Sequence, residues 1–392
     1  MFARSQKILP VVVLAWFVAG LCRYGHAAAP DPQDAAVLYY QAFLVYQQPD
    51  DAMKPTVSDV AGGEAAPTDE FRQYIAKNRA AIDLAIAATR LDTCSWGVRY
   101  SEGFNALMPH LAQIRNLARL VICDARIMAM DGKAEPALVR CLAVRKMSRH
   151  VNDEILISYL VSVAMNSITD KAILDIAGSG QLSAAKLRQT KGILESMSGG
   201  KDAIRRAMAV EKDVALKSMT ADRIGELVQA GGASGAEDIH KKLQEAGGEE
   251  FLTRCRKHYS DFIDAMTRIM TSDMPYAEGY AAMDKLVKDL EAATDEPSAV
   301  LTRLLGASIQ KVYSMQMRDQ GRVNAHLAAL EILAVTAETG QLPPALPTGL
   351  PKDIYSGKDF LYGKTSQGFV LTANAKDLDK DIVQKYEFKV AR

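Results

Sequence analysis

The chain has 392 residues, enough for one large domain or two ordinary ones, and its 48% hydrophobic and 24% charged content describes a globular protein with an adequate core. Lys plus Arg and Asp plus Glu number 47 each and no basic block stands out. The charge balance therefore gives no reason to expect nucleic acid as a partner.

The first segment, MFARSQKILPVVVLAWFVAGLCRYGHAAAPDP, places Arg4 and Lys7 ahead of a short apolar run from Ile8 to Cys22, with small residues following at Ala27 to Ala29. This is the order of a secretory signal peptide. The run falls short of the roughly 20 residues that a spanning helix needs, and no comparable run follows, so no stable membrane span is expected after removal of residues 1–27. A periplasmic or secreted location follows. Removal takes Arg4, Lys7 and Arg23 and no acid, leaving 44 basic against 47 acidic residues, a net charge of −3. Cys94, Cys123, Cys141 and Cys255 remain, an even number in a chain bound for an oxidising compartment. Cys123 and Cys141 lie on successive helical stretches joined near Asp131-Gly132-Lys133, so they are either a disulfide across a helical hairpin or two small core residues.

Residues 34–48 have apolar spacing of 3 to 4 and stop at Pro49, and 49–67 read as a loop. Thr68 followed by Asp69 and Glu70 is an N-cap with acids in the first turn, and Phe71, Ile75, Ile82 and Ile86 mark the buried face of the helix that follows. The pattern breaks over 91–104, LDTCSWGVRYSEGF. Helical spacing resumes at about 105–131, 135–150, 153–177, 183–198, 201–230, 250–272, 276–293 and 298–338, with Gly-rich stretches at 230–238 and 246–250 bracketing a short polar insertion or lid. Asn152 reads as the cap of the helix after it, and Ser183 as the cap of the next. From 351 the texture changes: Phe360 and Tyr362, then Phe369 and Leu371, then Tyr386, Phe388 and Val390 alternate with period two, as in strands with one buried face. The expected fold is an all-α body of irregular stacked helical hairpins with a small C-terminal β-hairpin module, divided as 1–27 signal, 28–340 helical domain and 341–392 tail. Three such strands bury little alone and should lean on the helix ending near Glu338.

The pair LARLVICDARIMAMDGKAEPALVRCLAVRKMSRH resembles a single tetratricopeptide-type hairpin, with Ala125, Gly132 and Ala137-Leu138 in place, although no 34-residue recurrence makes an array. The tail, from Gly340-Gln-Leu342-Pro343 through Asp353-Ile-Tyr-Ser-Gly357-Lys-Asp-Phe360-Leu-Tyr362 to a Gly-Phe-Val-Leu strand, resembles the C-terminal part of type II secretion pseudopilins over roughly 60 residues. It is also similar to the tail of many uncharacterised exported helical proteins of bacteria. Ile354 stands where a proline is usual, and no prepilin leader is present. The resemblance implies a structural cap and an envelope protein partner rather than pilus assembly. It also implies a calcium loop, for which Asp377, Asp379 and Asp381 lie in about the right place and alternate as hard oxygen ligands can. No other cofactor is expected.

No catalytic constellation is legible. Ser183-Ala-Ala-Lys186 and Lys364-Thr-Ser superficially match pieces of penicillin-recognising enzymes but lack the element between them, and zincin, nucleophile-elbow, Walker and dinucleotide fingerprints are absent. His258, Met266, Met270 and Met274 share a helical stripe that reads as core filling, with a Cu(I) site as its alternative. Tyr39, Phe43 and Tyr46 read as the packing face of the first helix. Trp96, Tyr100 and Phe104 sit in the irregular 91–104 segment, where helix packing explains large aromatics less easily, and a ligand cleft is expected there. The sequence thus points to an exported envelope protein that binds or scaffolds. A component or client of a secretion system and a hydrolase with its cleft near 91–110 are the alternatives.

Overall fold

A computed structural model describes residues 31–152, 155–198, 200–221, 223–224, 248–293, 297–306 and 310–391. The signal sequence and most of the Gly-rich insertion lie outside the described residues. Asp34 to Arg392 form one compact unit.

The first helix, α1 (Ala35–Val45), starts where Asp34 Oδ1 accepts from Ala36 N at 2.9 Å. Residues 49–67 are not the expected loop. Asp50 Oδ1 accepts from Met53 N at 2.8 Å and opens α2 (Met53–Gly62), which admits Pro55 in its first turn and buries Val57, Val60 and Ala61. The helix expected after Thr68 is two helices, α3 (Asp69–Lys77) and α4 (Arg79–Ala88). The break is at Asn78, whose buried amide accepts from Gln47 N and donates to Gln47 O, a long-range exchange that holds the residue at the junction of the two helices. A 3₁₀ turn at Tyr100–Asn105 follows the irregular segment.

Then come α5 (His110–Met130), α6 (Ala134–Asn152), α7 (Leu156–Ala177), α8 (Ala184–Met197), α9 (Gly200–Ser218), α10 (Gly248–Met270), α11 (Tyr276–Ala292), α12 (Val300–Gly306) and the 30-residue α13 (Gln310–Thr339). Ser183 caps α8 as expected, accepting from Lys186 N. Asn152 does not cap α7: it is the last residue of α6, and Leu156 N is met instead by Glu211 Oε2 of α9 at 3.3 Å. Successive antiparallel packing of α5, α6 and α7 gives the stacked hairpins.

The buried apolar side chains fall into two clusters. One spans α1 to α8, the C-terminal half of α13 and the inner face of the sheet; the other is built from α9 to α12, the start of α13 and Leu156 and Tyr159 of α7. Both α7 and α13 therefore run from one core into the other. The His258 to Met274 stripe is mostly core filling, since Met266 and Met270 are buried and His258 Nδ1 lies 2.8 Å from Thr302 Oγ1, while Met274 is exposed.

The tail is a three-stranded antiparallel sheet, β1 (Leu361–Thr365), β2 (Gly368–Asp377) and β3 (Ile382–Lys389), in the order β1-β2-β3. Phe369 pairs with Phe388 and Leu371 with Tyr386, which puts the period-two aromatics on the face that joins the first core. Asp353 organises the Pro-rich approach: its carboxylate accepts from Tyr355 N, Ser356 Oγ and Asn374 N, and Gly357 supplies the left-handed residue (φ 69°) of the turn. The last strand is seated on the end of α7, where Ala391 N donates to Gly178 O at 2.7 Å. A Cβ at Gly178 would lie 2.2 Å from Lys389 O, so only glycine permits the approach.

Candidate functional site

Between the two cores lies a cavity of about 440 Å³, within the range of small-molecule sites. One wall is the C-terminal half of α6, with Arg145, Ser148, Arg149 and Asn152. A second is the first half of α7, with Tyr159, Ser162 and Asn166. A third is α13, with Tyr313, Gln316, Asp319 and Asn324. Met197 and Ser198 at the end of α8, Gly200, Lys201 and Ala203 at the start of α9, and Met270, Ser272, Asp273 and Met274 at and beyond the end of α10 close the remainder.

Helical spacing makes these walls. Arg145, Ser148 and Asn152 stand at i, i+3 and i+7 on α6, and Ser158, Ser162, Asn166, Thr169 and Asp170 form one stripe along α7, apart from its exposed Lys171 and Asp175. Such polar groups are costly in a helix interface unless bonded. The hydroxyls of Ser162 and Thr169 donate to the carbonyls of Tyr159 and Met165 at 2.7 Å, and Ser148 Oγ lies 2.5 Å from Asn166 Oδ1. Gln316 Nε2 donates to Met270 O at 3.1 Å, which fixes the amide and leaves Oε1 buried without a hydrogen bond.

Behind this wall Asp170, 4% exposed, sits among two guanidinium groups and an imidazole. Arg145 Nη1 lies 3.5 Å from Oδ1, and Arg322 Nη1 and His326 Nδ1 lie 3.8 and 3.9 Å from Oδ2. Burial alone would raise the Asp170 carboxyl, but Arg145, His326 and Arg322 together outweigh it and hold the group below its ordinary value. Burial depresses His326 and raises Asp319, the partner of Arg322. At neutral pH the centre is thus an ionised Asp170 facing two guanidinium groups and a neutral imidazole. Arg145 is 5% exposed, and its Nε and Nη1 make no hydrogen bond.

No family model, curated protein or solved structure matches this chain.

The residues singled out in the sequence fall elsewhere. Trp96 is buried, stacked on His110 at a centroid distance of 4.5 Å and on Tyr39 at 5.4 Å, and its Nε1 donates to His150 O at 2.8 Å. It fastens the irregular segment to α1, α5 and α6. Tyr100 is half-buried on the 3₁₀ turn; Phe104 shares that turn, and its side chain lies outside the described residues. Neither Trp96 nor Tyr100 borders the cavity between the cores.

Asp377, Asp379 and Asp381 do not converge. Asp377, 1% exposed, accepts from Tyr276 Oη, Asp379 N, Gln384 Nε2 and Arg318 Nη1; Arg318 also bonds Asp379 at 2.6 Å, and Asp381 turns to Lys376 at 2.8 Å. Cations of the chain itself serve these acids, and among the described residues no group of three His, Cys, Asp or Glu is placed to hold a metal ion. Cys123 and Cys141 are free thiols, so the disulfide is not formed: Cys123 Sγ points to Val57 O of α2 at 3.5 Å rather than across to α6. Burial pushes both thiols up to about 12. Among the described residues no helix is long and apolar enough to cross a membrane.

The cavity residues escaped the sequence reading because polar positions on helices are ordinarily assigned to solvent. The available signal was α7, where Ser158, Ser162, Asn166, Thr169 and Asp170 recur on one side of the helix while the charged Lys171 and Asp175 already mark its solvent side.

Proposed function

We propose that the chain is an exported binding protein whose ligand is a small polar molecule held in the cavity between the two cores. The observation that carries this reading is the cavity itself: about 440 Å³, walled by side chains of α6, α7, α9 and α13, among them the polar Ser148, Asn152, Ser162 and Asn166. Export rests on the N-terminal order of charges, apolar run and small residues. Because α7 and α13 belong to both cores, a ligand bridging the walls couples the two halves, and binding should appear as added stability. At a free ligand concentration of 100 times Kd the gain is about 2.7 kcal/mol.

The test is recovery of the tagged chain from the envelope fraction under native conditions. Native mass spectrometry then reads its mass before and after denaturing extraction, together with its N-terminus. A chain beginning near Ala28 that releases a stoichiometric small molecule supports the reading. A chain without a bound molecule, whose melting temperature responds to no component of an envelope extract, refutes it.

A further inference from the structure

The chemistry of the ligand can be read from the wall groups that a guest can touch, on the premise that the cavity is the binding site. Tyr159, 8% exposed, lines the cavity, and its hydroxyl bonds to no described residue yet is not sealed in as Gln316 Oε1 is. Two amides share this wall. Asn152 Oδ1 lies 3.2 Å from Ser162 Oγ and Asn166 Oδ1 lies 2.5 Å from Ser148 Oγ, while the other end of each amide is unbonded and accessible. Tyr159, Ser162 and Asn166 stand at i, i+3 and i+7 on α7. The hydroxyl and the two amides therefore form a row, with one helical turn, about 5.4 Å, between neighbours.

Such a row asks for hydroxyls. Each serine has one proton for two acceptors, Arg145 O and Asn166 Oδ1 for Ser148, Tyr159 O and Asn152 Oδ1 for Ser162, so each amide can turn either its NH₂ or its oxygen to the cavity. The phenolic hydroxyl likewise donates or accepts. Groups with both capacities are met best by ligand groups with both. The charges of the wall are spent within the protein: Lys201 on Asp273, Arg145 on Asp170 and Asp319 on Arg322, which leaves the exposed Arg149. No buried charge is left over to hold an ion. Ile269, Met270 and Met317 supply an apolar lining that adapts to the C–H face of a ring.

We propose that the cavity takes a neutral carbohydrate of one or two rings, its hydroxyls bonded to the Tyr159 hydroxyl and to the amides of Asn152 and Asn166, with a C–H face of the ring against the methionine lining.

The experiment measures binding of a panel of neutral mono- and disaccharides, with the matching uronic acids and sugar phosphates, by thermal shift and then calorimetry on the mature chain. At least one neutral sugar should bind, and its acidic forms should bind no more tightly. Tyr159→Phe removes a hydroxyl that bonds nothing in the free protein, so the melting temperature without ligand should stay where it is. The affinity for the sugar should fall about fivefold, the loss of one neutral hydrogen bond. Asn166→Leu, which leaves Ser148 its bond to Arg145 O, should weaken binding by a similar factor. Failure of every neutral sugar to bind, tighter binding of the acidic forms, or sugar binding untouched by both variants overturns this inference. Native mass spectrometry keeps it apart from the wider reading. A molecule of another class released from the native protein would leave the cavity as a binding site, whereas a chain with no bound molecule and no response to an envelope extract would refute both.

Discussion

Replacing Phe369 by Ala tests whether the tail is an appendage or part of the core. Phe369 is fully buried on β2, stacked on Phe388 at 4.9 Å and tilted against Tyr362 at 5.9 Å, and it belongs to the same apolar cluster as α5, α6, α7 and α13. Truncation of a buried Phe costs about 3–5 kcal/mol, counting both lost transfer energy and the void left behind. The lost aromatic stacking, about 0.5–1.5 kcal/mol, places this site in the upper part of that range. The cost falls on the whole unit because β3 is seated on α7 and α13 crosses both cores. With a urea m-value near 3 kcal/mol/M, the midpoint followed by helical circular dichroism should drop by roughly 1.3 to 1.7 M in one transition. A loss below about 1 kcal/mol would refute the reasoning. So would an early melting of the tail, seen by tyrosine fluorescence, with the helical midpoint unmoved.

Three further outcomes follow from particular side chains. Glu211 is half-buried beside Leu156 N, and desolvation there raises its carboxyl above the ordinary 4.5. The unfolded chain ionises first, so stability is lost as pH rises from 4.5 through the folded value; Glu211→Gln should match the wild type below pH 4.5 and exceed it at pH 7, and an equal or lower melting temperature at pH 7 would contradict this. Gly178→Ala should cost about 1–3 kcal/mol by forcing β3 off the end of α7, with faster trimming of the last residues by carboxypeptidase as its signature, and unchanged trimming would sink it. Cys123 and Cys141 should resist iodoacetamide at pH 8 in the native chain and react on unfolding without reductant; a need for reductant would show a disulfide after all.

The sequence by itself determined the classes of structure and most of their places. Helical spacing located the bodies of α5 to α8, Thr68 and Ser183 marked their helix starts, and the alternation of Phe369, Leu371 and Phe388 assigned both the strands and their buried face. These are local properties, fixed by neighbours within a turn or a strand. Other features needed the tertiary structure. Asn78 splits a helix because Gln47 lies 31 positions away in sequence and beside it in space, and Trp96 is core because His110, Tyr39 and His150 enclose it. Arg318, from another element, bonds both Asp377 and Asp379. The cavity was the least legible feature, since Arg145, Asp170 and Gln316 each read as ordinary exposed positions on three separate helices. Only the packing of α6, α7 and α13 brings them together, and it makes their unmet hydrogen bonds costly because water is kept from those atoms there.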